Sequence, residues 1–155
     1  MSDIDDIIAN DVIAKITAIT TANGYANDVS SLDGWMVHYA SDLLSGANGL
    51  SFPAVAVQPL SDTPTPNSSN KRSNNSRVMR LIGAVSTSNF GMVNKNINSL
   101  LLDVRKSLAF DPYNSDKSKA FELTMGNATF NLPDSKDQYA FFEMDITIKY
   151  IENWM

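Results

Sequence analysis

Nine consecutive residues near the carboxyl end, F-E-M-D-I-T-I-K-Y from Phe142 to Tyr150, alternate without a break between apolar and polar. Side chains of a strand point to opposite faces in turn, so Phe142, Met144, Ile146, Ile148 and Tyr150 share one face, and Glu143, Asp145, Thr147 and Lys149 the other. Such a strand needs neighbours for its backbone and a second layer for its apolar face. The rest of the chain supplies both. P-A-V-A-V-Q from Pro53 to Gln58 and V-M-R-L-I-G-A-V-S from Val78 to Ser86 read as further strands. Phe121 to Met125 and Ala128 to Leu132, separated by Gly126-Asn127, read as a hairpin or as one long bulged strand. Gly followed by Asn favours the hairpin.

The covering layer comes from two stretches of helical periodicity. Ile4, Ile8, Val12, Ile16 and Ile19 recur in steps of four, four, four and three, widened by Ile7 and Ile13. Ser2 or Asp3 can cap this helix, the early acids complement its dipole, and Asn23-Gly24 supplies a left-handed stop. The second stripe is Val93, Ile97, Leu100, Leu101, Val104 and Leu108, with Ser88 or Asn89 as a cap and Asp111-Pro112 as the end. Between Tyr25 and Phe52, glycines 34, 46 and 49 interrupt Trp35-Met36-Val37 and Leu43-Leu44. This segment reads as a loop-rich crossing with a short strand or helical turn. The order is helix, strand pair, helix, strand pair, with no βαβ alternation to force parallel pairing. It predicts an α+β fold over residues 1–155: a single, mostly antiparallel sheet packed against two amphipathic helices.

Ser61 to Arg77, S-D-T-P-T-P-N-S-S-N-K-R-S-N-N-S-R, holds no large apolar residue in seventeen positions. It does not link two domains, because the residues before it offer only one good helix and one strand. The expectation is a long flexible polar loop, residues 61–77, between the first two main strands. Pro64 and Pro66 favour an extended start.

The net charge of −5 argues against general affinity for nucleic acid or anionic membrane. Its distribution is uneven. Between Met1 and Asp33, Asp3, Asp5, Asp6, Asp11, Asp28 and Asp33 face only Lys15, whereas between Lys71 and Lys106 seven basic residues face only Asp103. That polarity suits charge-complementary docking between copies. There is no cysteine, so disulfides and thiolate metal sites are excluded. M-S-D-I-D-D-I-I carries acids where a signal peptide needs basic residues, and no apolar run is long enough to span a bilayer. The expectation is a soluble protein without membrane partners.

Catalytic chemistry has little to stand on. His38 is the sole histidine, and its W-M-V-H-Y setting predicts a packed or hydrogen-bonded ring rather than a catalyst. Asp3, Asp5 and Asp6 are accounted for by the helix dipole without a metal. Glu143 and Asp145 share a strand face with Thr147 and Lys149, which reads as wet or as covered by a neighbouring subunit. Asn67-Ser68-Ser69 matches a glycosylation acceptor, which has no consequence without secretion. Leu102, on the polar side of the second helix between Lys95 and Lys106, and Trp154-Met155, beyond the last strand, lack an obvious core. Exposed large apolar groups suit contact with another chain.

Taken together, a first helix ending in N-G-Y, a strand F-P-A-V-A-V, a central R-L-I-G-A-V, a helix bearing I-N-S-L-L-L-D-V-R-K-S-L before D-P, and a closing M-D-I-T-I-K-Y resemble the tail terminator and tail-completion proteins of tailed bacteriophages. The resemblance spans most of the chain and is best from Ile97 to Leu108. It implies a non-enzymatic virion protein without cofactors, assembled in the host cytoplasm. Such proteins form a ring, commonly a hexamer, that caps the tail tube, stops its polymerisation and presents a surface to the head-tail connector, with DNA passing through the lumen. The candidate interface residues are then Lys71, Arg72 and Arg77 in the loop, Lys95, Leu102 and Lys106 on the second helix, and Trp154. Replacing the three loop cations together is expected to leave the fold intact and weaken assembly. The loop itself is expected to be a hairpin-like arm that orders only against a neighbouring subunit or against DNA. The alternatives are another head-tail joining or neck protein, or a small cytoplasmic binding domain or enzyme.

Overall fold

The computed structural model describes residues 4–66, 71–110, 120–131 and 138–154. Among these residues, three α-helices and five strands follow in the order α1 (Ile4–Thr17), β1 (Ser30–Asp33), α2 (Met36–Ser45), β2 (Ala54–Pro66), β3 (Arg72–Ser86), α3 (Val93–Phe110), β4 (Ala120–Asn131) and β5 (Tyr139–Asn153). The strands form one sheet in the spatial order β1-β2-β3-β5-β4. Among the described residues, no helix is long and apolar enough to cross a membrane.

The α+β class holds, but the sheet is mixed, not mostly antiparallel, and three helices replace the expected two. β1 runs parallel to β2, with Leu32 opposite Ala56, while the other pairs are antiparallel. Parallel neighbours need a crossover, and α2 provides it. The sequence hides this unit because α2 starts at Trp35 with no side-chain cap and stops after ten residues at Gly46, whose φ of +71° suits glycine.

Strand alternation divides the interior between the two faces of the sheet. On one face lie α1 and α3, whose Ile8, Val12, Ile16, Val93, Ile97, Leu100, Val104 and Leu108 pack on Val55, Val57, Met79, Leu81, Phe142, Met144 and Ile146. Both helical stripes and the alternating strand therefore point inward as their spacing requires. On the other face α2 lays Met36 and Leu43, with Leu32 of β1, against Ala54, Ala56 and Ala84.

Two polar contacts lock the helical layer. The buried carboxylate of Asp103 accepts the backbone N–H groups of Ala26 at 3.0 Å and Asn27 at 2.9 Å and the Asn27 side-chain amide at 2.8 Å. The single acid of the basic segment thus faces inward, holding the α1–β1 connection. Ser107 donates its hydroxyl to the carbonyl of Lys15, tying α3 to the end of α1.

Most of the polar stretch 61–77 is strand rather than loop. Asp62 pairs with Arg77, Pro64 with Asn75 and Pro66 with Ser73, while Arg72 to Arg77 also pair with β5 from Asn153 back to Ile148. Residues 67–70 lie outside the described residues. The backbone groups of β3 here are satisfied on both sides, so the strand needs no apolar side chains of its own. Its inward polar groups bond to one another. Tyr150 donates its hydroxyl to Asp62, and Arg77 Nε donates to the same carboxylate oxygen at 2.9 Å. Asn75 donates to the Tyr150 hydroxyl at 3.1 Å and to Glu152 at 3.3 Å.

Of the two readings open for the segment around Gly126-Asn127, β4 follows the less favoured. It is one bulged strand, not a hairpin, with its register against β5 shifting between Met125 and Ala128. A Cβ at Gly126 would stand 2.9 Å from the Asp145 carbonyl, so the glycine serves close backbone approach here rather than a chain reversal.

Candidate functional site

The residues picked out by sequence fall into two groups on different elements. Lys71 and Arg72 are exposed where the β2–β3 arm meets the end of β5. Trp154 joins them, because its backbone N–H donates to the Lys71 carbonyl at 2.9 Å and its indole N–H to Glu152 at 2.6 Å. Arg77 belongs to the same arm but is not an outward contact. Its ion pair with Asp62 makes it an internal strut.

Lys95, Leu102 and Lys106 form the second group. Steps of seven and four put them on one line along the outer side of α3, all exposed, spanning about 16 Å at 1.5 Å per residue. Arg105 is exposed beside them, and among the described residues none of the three cations has an ion-pair partner. Asp103 cannot neutralise them, since it points into the core.

Sequence reasoning missed a third surface on the opposite side of the sheet. Val37 and Leu44, seven apart on α2, face outward with Trp35 just before the helix; Val37 is 80% exposed, Trp35 56% and Leu44 43%. Asp33 is exposed at the start of this patch, whereas the half-buried Asp42 lies about 140° round α2 from Val37. The seven-residue spacing was available as a signal. It was masked because Met36 and Leu43, each adjacent to an outward residue, go to the core, leaving an apolar pattern with no single stripe.

Further along that face, Arg80 and Asp145 are cross-strand partners joined by Nε at 2.9 Å and Nη2 at 3.4 Å. The hydrogen bond to Asp145, then its charge and that of Glu143, raise the Arg80 guanidinium above its ordinary pKa against the opposing effect of burial. Asp145 is thereby engaged in a structural pair instead of forming an acid pair with Glu143. His38, expected to be packed or hydrogen-bonded, is exposed on α2, its ring edge-on to Tyr39 at 5.2 Å. Among the described residues no cluster of three or more His, Asp or Glu is placed to hold a metal ion.

A cleft of about 510 Å³ lies between the start of α3 and edge strand β4, lined by Val93, Ile97, Ala128, Phe130 and Ala140. Phe130 is partly exposed there and tilts over Phe142 at 6.5 Å. The cleft is apolar, and of its lining residues only asparagines 94, 98 and 131 and Thr129 are polar, so it offers surface for packing rather than acid–base groups. No protein-family model matches the chain, and no curated protein matches it either.

Proposed function

We propose that the protein is a structural component of a phage virion, a tail terminator that forms a ring on the tail tube, stops tube polymerisation and offers its other side to the head-tail connector. The reading starts from the sequence resemblance, centred on I-N-S-L-L-L-D-V-R-K-S-L. The observation that carries it beyond sequence is the outer line of α3, where Leu102 stands exposed between Lys95 and Lys106, neither of which has an ion-pair partner among the described residues. A monomer gains nothing from this arrangement, whereas a subunit contact covers the leucine and neutralises the cations. Lys71 and Arg72, at the end of the arm, are the groups suited to phosphates passing through a lumen, a contact without sequence preference.

The test is to purify the chain, determine its mass in solution by light scattering, and add it to polymerising tail tube protein. A ring of defined stoichiometry that halts tube growth is the expected result. A chain that stays monomeric and leaves tube length unchanged overturns the proposal. Ring formation without any effect on the tube would point instead to a neck or connector-side joining protein.

A further inference from the structure

The two unpartnered surfaces on opposite sides of the sheet are complementary. The α3 surface is cationic around one apolar residue: Leu102, 53% exposed, lies between Lys95 and Lys106. The α2 surface is apolar with an acid at its margin: Trp35, Val37 and Leu44 with Asp33, which forms no ion pair among the described residues. Their lengths agree as well. Ten residues make α2 about 15 Å long, against about 16 Å from Lys95 to Lys106. Because the sheet separates them, the two surfaces cannot meet within one molecule.

We infer that the occupant of the α2 surface is a second copy of this chain, which lays the outer line of its α3 there, with Leu102 on Trp35, Val37 and Leu44 and a lysine of that line directed to Asp33. Two different surfaces make the contact, so it is heterologous, and each joined pair still has one free surface of each kind. Repeated with a rotation that closes, it builds a ring. This inference rests on the ring reading above and adds which faces join.

The experiment uses the full chain with Val37→Asp and Leu102→Asp, both exposed positions whose replacement leaves the core alone, with circular dichroism to verify the fold. Each variant alone is expected to lose the ring and sediment as a monomer, with association weakened at least tenfold. An equimolar mixture is expected to give a heterodimer and stop there, since the intact α3 of Val37→Asp meets the intact α2 of Leu102→Asp. Lys95→Glu with Lys106→Glu is expected to break the ring, and adding Asp33→Lys to restore it in part. Rings formed by both single variants as readily as by the parent chain would overturn this contact while leaving the ring reading standing. A parent chain that is monomeric at every concentration would overturn both.

Discussion

The ring of Phe142 fills the space where a side chain on Gly83, its cross-strand partner, would begin. A Cβ on Gly83 would lie 2.3 Å from ring Cε1 and 2.4 Å from Cζ, with Leu100 Cδ2 3.1 Å away. Phe142 is fully buried and has no room to withdraw. Gly83→Ala should therefore destabilise the protein by about 1–3 kcal/mol through overpacking. Chemical denaturation would measure this. Adding Phe142→Leu should recover part of the loss, a non-additivity that an effect on the unfolded chain alone would not produce.

Ile146 is fully buried at the centre of β5, opposite Met79. Ile146→Asp places an unpaired carboxylate in that apolar layer, at a cost of about 3–5 kcal/mol or more. The variant should be unfolded or insoluble at 37 °C, as judged by circular dichroism and soluble yield. A folded variant with parental melting temperature would contradict the packing described for this face.

Asp103→Ala strips the acceptor from two backbone N–H groups and an amide, leaving donors in a partly buried connection. A loss of about 1–3 kcal/mol is expected, with Asp103→Asn losing less because one carbonyl oxygen remains. Amide exchange should rise first at Ala26 and Asn27. Uniform exchange increases across the sheet would instead indicate a global effect.

Tyr150→Phe removes the hydroxyl that links Asn75 to Asp62. The arm, residues 61–66 and 72–77, should exchange its amides faster while the sheet centre keeps its protection. The cost is about 1–2 kcal/mol because the buried Asn75 loses a bond, while the more exposed Asp62 keeps its ion pair with Arg77.

Lys71→Ser with Arg72→Ser should leave stability within about 0.5 kcal/mol, as both side chains are exposed. Adding Arg77→Ser is a different change, since it leaves Asp62 without its ion-pair partner. The sequence treats these three cations as equivalent, and a thermal melt of the double against the triple variant separates them.

What could be read from sequence follows from which forces leave a period. Ile8, Val12 and Ile16 of α1, six apolar positions of α3 and five of β5 are all buried where spacing puts them, because burial of a stripe writes itself into the chain. The arm strands leave no such mark. Asn75 is buried with hydrogen bonds to Tyr150 and Glu152, far off in sequence, and the buried Ser73 bonds to Asn75 in turn, a relation that no apolar period records. β1 and α2 were hidden for a further reason: four strand residues carry too little alternation, and α2 divides its apolar residues between core and surface. Among the candidate contacts, exposed Leu102 and Trp154 were legible as apolar residues out of place, whereas the inward turn of Arg77 depended on Asp62 across the ladder.

The two margins of the sheet differ in a way that bears on misassembly. Beyond the four residues of β1, the outermost strand is the second half of β2, where Pro59, Pro64 and Pro66 remove backbone donors. The opposite margin, β4, has no proline in twelve residues. Stray strand pairing is therefore confined to one side. Two copies zipped together through β4 would show only proline-interrupted or four-residue margins to the next comer, so unwanted sheet growth ends at a pair instead of running on into a fibre.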